Sequence, residues 1–126
     1  MKVSARRRTG YAHTVTHEHH TLIVDEPGDH GGADTGPRPT ALLGMSLASC
    51  TAITIEMYAS RKDWDVGRLE VEVNYELHPK GTSRFHVVLK LPGALSDAQA
   101  EALRAIAAKC PVHRVLLGQV EITDRV

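Results

Sequence analysis

The clearest pattern of hydrophobic and polar positions runs from residue 68 to residue 92. Apolar side chains alternate with charged or polar ones on both sides of a "HPKGT" turn, which is typical of strands with one buried face. One register places Tyr75 opposite Phe85 on the apolar face. The same register places Glu70 opposite Lys90 on the charged face. Because a slip of one residue would turn every side chain to the wrong face, these two matches predict an antiparallel hairpin in this register.

Two other segments have the pattern of helices. Residues from about 40 to 60 are apolar on nearly every face, which predicts a long, buried central helix capped by Thr40. A second helix should start with a capping box, since Ser96 is followed three residues later by a glutamine. Cys110 falls on the apolar face of that helix. It should lie at a break, because Pro111 suits the first position of a new helical turn and not a helix interior.

The remaining segments predict short strands and one long loop. Residues 1–25 indicate strands, including a hairpin whose polar tip is "HEHH" at 17–20. Residues 25–39 are rich in Gly, Pro and Asp and predict a loop of a length that is typical of functional or disordered connections. A last strand is expected from Gln119 to about Thr123. Together these elements predict an α+β fold, with antiparallel sheets packed on the central helix and on the second helix.

Length and charge narrow the class of protein. The chain has 126 residues, which predicts a single domain over residues 1–126. Basic and acidic residues balance at 15 each and only 4% of residues are aromatic, so we expect neither a nucleic acid nor a membrane as a partner. The first ten residues lack the apolar core of a signal peptide. The longest uncharged run, 39–55, is shorter than a spanning helix needs, so we expect a cytoplasmic protein.

The chain has only two cysteines, Cys50 and Cys110, which are 60 positions apart. In the cytoplasm such thiols are more often free or catalytic than joined in a permanent disulfide. As the N-cap of a turn, Cys110 would have its thiolate stabilised by free N–H groups and by the helix dipole. Cys50 has apolar neighbours, and desolvation there would raise its pKa. Simple packing of buried cysteines therefore stays open for both residues.

Three other kinds of site compete for these residues. A zinc site would use Cys50, Cys110 and His113, but a structural zinc site needs four ligands. The histidines of "HEHH" would offer metal ligands, although a polar hairpin tip explains that pattern more often. Cys50 with a histidine base would suit acyl transfer, which the spacing neither supports nor excludes. No bound metal and no bound cofactor is predicted.

The chain resembles the OsmC/Ohr family, whose members are small thiol peroxidases of the osmotic and organic-hydroperoxide stress responses. The resemblance rests on "GGADTGPRPTALL", "LASCTAITIEMYASRK" and "KCPVHRVL", with a pair of strands between the two helices. The segments "DTGPRP" and "CPVHR" are most similar to those of the OsmC-like branch. The resemblance implies an α+β fold in which two chains form an intertwined homodimer around paired central helices.

The resemblance also implies a mechanism. Cys50 would attack a small apolar hydroperoxide, and Cys110 would convert the resulting sulfenic acid to a disulfide. An external dithiol, of the lipoyl type in the Ohr branch, would reduce that disulfide. An N-terminal arginine would stabilise the thiolate. Arg6, Arg7 and Arg8 are the candidates, and spacing favours Arg8. Thr40 stands where better-known members carry the glutamate that orients this arginine, so the alternative is a non-catalytic protein that binds a small apolar ligand or senses oxidation.

Overall fold

The structure is a computed structural model that describes residues 1–126. It contains five strands in two antiparallel sheets and three α-helices, which confirms the predicted α+β class. In chain order the elements are β1 (Ser4–Thr9), β2 (Ala12–His17), β3 (His20–Val24), α1 (Pro39–Arg61), β4 (Glu70–Glu76), β5 (Arg84–Lys90), α2 (Asp97–Ala107) and α3 (Pro111–Leu117). The chain divides into two compact units, Met1–Leu43 and Gly44–Val126. The single domain over residues 1–126 stays a prediction.

The first unit contains the three-stranded sheet, in the order β1–β2–β3. The polar "HEHH" segment forms the turn between β2 and β3, as predicted, and Glu18 there takes a left-handed backbone with φ 53°. Every residue of β1 is exposed. The pairing of β1 with β2 shifts between Arg7 and Thr9, which places Arg8 at a bulge-like irregularity.

Asp25 organises the loop between β3 and α1. Its buried carboxylate accepts hydrogen bonds from the backbone N–H groups of Glu26 at 2.8 Å, Ala33 at 3.3 Å and Thr35 at 3.2 Å. The hydroxyl of Thr35 also donates to it, at 2.7 Å. These hydrogen bonds, with that of the Thr35 hydroxyl the strongest influence, hold the pKa of Asp25 below its ordinary value. One carboxylate therefore orders a loop that has little core of its own.

The core of the second unit lies between α1, α2 and the β4–β5 hairpin, and its buried members are Ile55, Ala59, Val66, Leu103 and Ala107. The two strands pair in the predicted register. Tyr75 stacks on Phe85 with ring centroids 5.8 Å apart, and Lys90 Nζ lies 3.2 Å from a carboxylate oxygen of Glu70. The apolar and the charged match are thus both confirmed.

Helix α1 begins one residue earlier than expected. Pro39 is its first residue, a position that the fixed φ of proline suits, so Thr40 lies inside the first turn and its predicted role as the cap is wrong. Within the single chain α1 buries one face, formed by Gly44, Leu47, Thr51, Ile55 and Ala59. Its opposite face leaves several large apolar side chains exposed. By length and composition alone the helix would also pass as a membrane span, a test that core helices of soluble proteins meet as well.

Near the end of the chain, one predicted feature is confirmed and another is wrong. Ser96 and Gln99 form the expected capping box at the start of α2. The strand predicted from Gln119 to Thr123 does not form, and the residues after α3 are exposed and without regular structure. The alternation of apolar and polar residues there suits a strand. A strand also needs a neighbouring backbone to bond with, and no strand of this chain pairs with the segment.

Candidate active site

The two cysteines meet, although 60 positions separate them. Cys50 lies in the middle of α1 and is partly buried, whereas Cys110 follows α2 and is 0% exposed. Both are free thiols, and the Cys110 side chain lies close enough to Cys50 to influence the pKa of that thiol. This contact confirms the prediction that the two residues are spatial neighbours. Their catalytic roles stay predictions.

The local sequence explains why Cys110 lies where it does. Leu103, Ala107 and Cys110 follow one another at helical spacing and are all buried, so the cysteine continues the core-facing side of α2. The backbone N–H of Cys110 still bonds to the carbonyl of Ala107, at 3.3 Å. Pro111 then prevents the helix from continuing, because proline has no N–H to donate and crowds the preceding turn. The chain bends at Cys110 and starts α3.

Cys110 is the N-cap of α3, as predicted. Its sulfur accepts the backbone N–H of His113, with Sγ and N 3.4 Å apart, and its carbonyl accepts the N–H of Arg114 at 3.2 Å. Pro111 occupies the first helical position, where a missing N–H costs nothing. The buried thiol therefore provides one of the few partners available to the free N–H groups of this short helix.

The immediate surroundings of Cys50 disfavour its thiolate. Burial is the largest influence and raises the pKa of Cys50 above its ordinary value of 9.0, and Cys110 raises that pKa further. The backbone N–H of Val112 and the hydroxyl of Thr54 act in the opposite direction through hydrogen bonds that stabilise the thiolate. The single proton of the Thr54 hydroxyl is donated to the Cys50 carbonyl at 2.7 Å, so its influence on the Cys50 sulfur is small. No positively charged side chain is among these influences.

Thr51 adds a polar atom that sequence reasoning did not identify. It follows Cys50 on the buried face of α1, is 1% exposed, and its hydroxyl has no hydrogen-bond partner within the chain. An unsatisfied buried hydroxyl costs about 1–3 kcal/mol, so such atoms are rare in well-packed cores. No sequence signal marks this threonine, since several serines and threonines occur along the same helix.

The competing metal sites gain no support. No group of three or more His, Cys, Asp or Glu side chains is arranged to hold a metal ion. In the "HEHH" turn the rings of His19 and His20 pack against each other with centroids 4.0 Å apart, while His17 Nδ1 lies 3.0 Å from the carbonyl oxygen of Lys2. These contacts are those of a polar hairpin tip.

Arg8, the predicted activating residue, lies in β1 in the first unit. Its side chain is exposed, and Nη1 donates to the hydroxyl oxygen of Thr14 at 3.5 Å, the outer limit for such a bond. The guanidinium is therefore only weakly held by its own sheet. Its role at Cys50 stays a prediction.

Comparisons with known proteins give one family and one fold. A family model described as OsmC-like protein matches residues 31–124. No curated protein sequence matches the chain. Among solved structures, a Psychrobacter arcticus protein assigned to the osmotic stress and detoxification response is 23% identical, with a TM-score of 0.79 over 91% of this chain and 87% of that one.

Two further solved structures show the same fold. An OsmC-like protein from Mycoplasma pneumoniae is 20% identical, with a TM-score of 0.73 over 93% of this chain and 86% of that one. The organic hydroperoxide resistance protein OhrB of Bacillus subtilis is 23% identical, with a TM-score of 0.61 over 95% of this chain and 92% of that one. At these identities the likeness confirms the predicted OsmC-like fold.

Proposed function

The chain belongs to the OsmC-like protein family, and we propose that it is a thiol peroxidase that reduces small organic hydroperoxides in defence against oxidative stress. The observation that carries this proposal is the contact between Cys50 and Cys110, two thiols from different elements. The Bacillus subtilis relative is named for organic hydroperoxide resistance, which supports the same class of substrate.

The burial of the two thiols suggests how the roles divide. Cys50 is only partly buried, so it is the thiol that a hydroperoxide can reach. Cys110 is fully buried and lies beside Cys50, which supports a reaction of Cys110 with Cys50 and not with substrate. This difference favours Cys50 as the attacking residue and Cys110 as the resolving residue.

The reaction then has three steps. The Cys50 thiolate attacks one peroxide oxygen, the O–O bond breaks, and the alcohol leaves after taking up a proton, which gives a sulfenic acid at Cys50. The Cys110 thiol attacks that sulfur, forming a disulfide and releasing water. An external dithiol reduces the disulfide and is itself oxidised to a disulfide. The apolar residues that flank Cys50 along α1, Leu47, Ala48 and Ile53, suit an apolar peroxide.

The first step needs a thiolate, which the immediate surroundings of Cys50 disfavour. Hydrogen bonds from Val112 and Thr54 lower the pKa of Cys50, but burial and Cys110 raise it more. A nearby cation would reverse this balance, because an opposite charge within about 4–6 Å favours the ionised form. In this proposal the cation is Arg8, and Thr40, being uncharged, contributes no ion pair to orient it.

Counting free thiols tests the proposal. One equivalent of an organic hydroperoxide should remove both thiols of the reduced protein, and a dithiol should restore them. In the Cys110→Ser variant the sulfenic acid has no partner, so excess peroxide should carry Cys50 on to sulfinic acid. Survival of both thiols in the unsubstituted protein would exclude the two-cysteine mechanism.

A second candidate function is a non-catalytic one. The raised pKa of Cys50 and the uncharged Thr40 both favour a protein that binds a small apolar ligand without turning over peroxide. The same experiment separates the two functions. A binding protein would keep both thiols after the hydroperoxide is added, while an apolar ligand would still raise its thermal unfolding temperature.

A further inference from the structure

Cys110 has two structural roles at once. Its side chain contacts Cys50, and its sulfur caps α3 by accepting the His113 N–H at 3.4 Å. A cysteine that only packed in the core would leave α3 unaffected by oxidation. Here both sulfurs that would form a disulfide hold the first turn of the helix, because Cys110 accepts the N–H of His113 and Cys50 interacts with the N–H of Val112.

Helix α3 depends on that first turn because little else holds it. The helix has seven residues and none of them is buried. Only Val112 and His113, next to the cap, are partly buried, while Val115 and Leu117 are largely exposed. Helices this short are not stable without such fixed contacts. The order of α3 should therefore respond to a change at the Cys110 sulfur.

We propose that Cys110 couples the oxidation state of the thiol pair to the order of α3, which is capped while Cys110 is a free thiol and loosens when Cys110 joins Cys50 in a disulfide. The proposal rests on the proposed two-cysteine chemistry. To form the bond, the Cys110 sulfur must turn its electron pair toward Cys50. A sulfur held toward Cys50 by the S–S bond no longer directs a lone pair at the N–H of His113, which therefore loses its partner.

Loosening of α3 would help the reductant in the last step. Cys110 is 0% exposed and Cys50 is partly buried, so loosening of α3, whose Val112 lies beside Cys50, would widen the approach of a dithiol to the Cys50 sulfur. Once α3 opens, one thiolate of the dithiol attacks the Cys50 sulfur, the S–S bond breaks, and Cys110 leaves as a thiolate that takes up a proton. The second thiol of the reductant then displaces Cys50 and closes the reductant's own disulfide. The cap at His113 forms again, and α3 closes.

Amide hydrogen exchange measured by NMR tests the coupling. The disulfide is made with diamide, a small oxidant that takes up two electrons and two protons, so the test does not depend on peroxide chemistry. Exchange at Val112, His113 and Arg114 should be about two- to tenfold faster in the disulfide form than in the dithiol form, the range expected for loss of a helix cap. Exchange at Leu103, in the core of α2, should stay the same and shows that the fold is intact.

Two variants separate capping from oxidation. Cys110→Ser keeps an oxygen at the cap and cannot form the disulfide, so α3 should stay protected with and without diamide. Cys110→Ala has neither cap nor disulfide, so α3 should exchange fast in both conditions. Equal protection of α3 in the dithiol and disulfide forms would overturn the proposal, as would failure of diamide to join the two cysteines. A disulfide that forms with diamide but not with hydroperoxide would instead exclude the peroxidase function and leave the coupling intact.

Discussion

The ring of Tyr75 lies so close to Gly44 of α1 that a Cβ at residue 44 would come within 2.8 Å of the ring carbon Cε1 and 3.0 Å of Cδ1. The ring cannot easily move away, because it stacks on Phe85 of the neighbouring strand. Glycine weakens a helix interior by about 1 kcal/mol relative to alanine. Its presence at residue 44 is explained by the close approach of the hairpin to the helix backbone.

We therefore expect Gly44→Ala to destabilise the protein by about 1 kcal/mol, since overpacking costs about 1–3 kcal/mol and the gain in helix propensity offsets part of it. Chemical denaturation measures the free energy of unfolding. In a Tyr75→Ala background the ring is gone, and Gly44→Ala should be neutral or stabilising. An equal loss of stability in both backgrounds would show that the ring contact is not the cause.

The carboxylate of Asp25 should set the acid limit of the loop that it organises. Asp25→Asn places an NH2 donor among N–H donors, so it should lower the unfolding temperature more than Thr35→Val, which removes one of the hydrogen bonds. Because the pKa of Asp25 is lowered in the folded state from its ordinary 3.8, its stabilising effect is present above that pH and is lost as the pH falls through the lowered pKa. The difference between Asp25→Asn and the unsubstituted protein should shrink in acid. A difference that stays constant from neutral pH to below pH 3.8 would contradict this account.

The sequence predicts a structural feature well where two patterns of residues specify the same feature. The β4–β5 register follows from an apolar match and a charge match that agree. The position of Cys110 follows from the periodicity of α2, which turns the residue toward the core, and from Pro111, which ends the helix there. Each of these arguments is local, or joins segments that are close in the sequence.

The features that sequence missed depend on backbone geometry that no periodicity encodes. The hydrogen bonds of Asp25 reach Ala33 and Thr35 only because the loop folds back on itself. The residues after α3 have the alternating pattern of a strand, but a strand forms only where a partner strand lies beside it, which a local pattern does not show. The unsatisfied hydroxyl of Thr51 likewise becomes visible only when the packing around α1 is known.

The exposed face of α1 should be covered by a second copy of the chain. Met45, Ile53 and Met57 are each half exposed or more, and several large apolar side chains exposed on one helix indicate an interaction site. We expect a dimer in sedimentation experiments at micromolar concentration. Ile53→Glu should shift it toward monomer, whereas Ala105→Glu, which adds the same charge at an exposed position of α2, should not. A stable monomer of the unsubstituted protein would exclude this assembly.

The pH at which the Cys50 thiol ionises shows whether Arg8 is the residue that activates it. The influences within its immediate surroundings raise the pKa of Cys50 above 9.0, with burial first and Cys110 second. If Arg8 is the activating cation, Arg8→Ala leaves only these influences. The midpoint for alkylation of Cys50 should then lie above pH 9.0 in the variant and lower in the unsubstituted protein.

The peroxidase rate should be lower in Arg8→Ala than in the unsubstituted protein, because each pH unit below the midpoint reduces the thiolate fraction about tenfold. Alkylation is followed by mass spectrometry of the peptide that contains Cys50, and peroxide consumption is measured on the same samples at neutral pH. Arg6→Ala removes the same charge from the same strand and serves as the control, which should keep both the midpoint and the rate. Midpoints above pH 9.0 in all three proteins would show that Arg8 does not act on Cys50, and a protein that also left peroxide intact would then be better explained by the binding function.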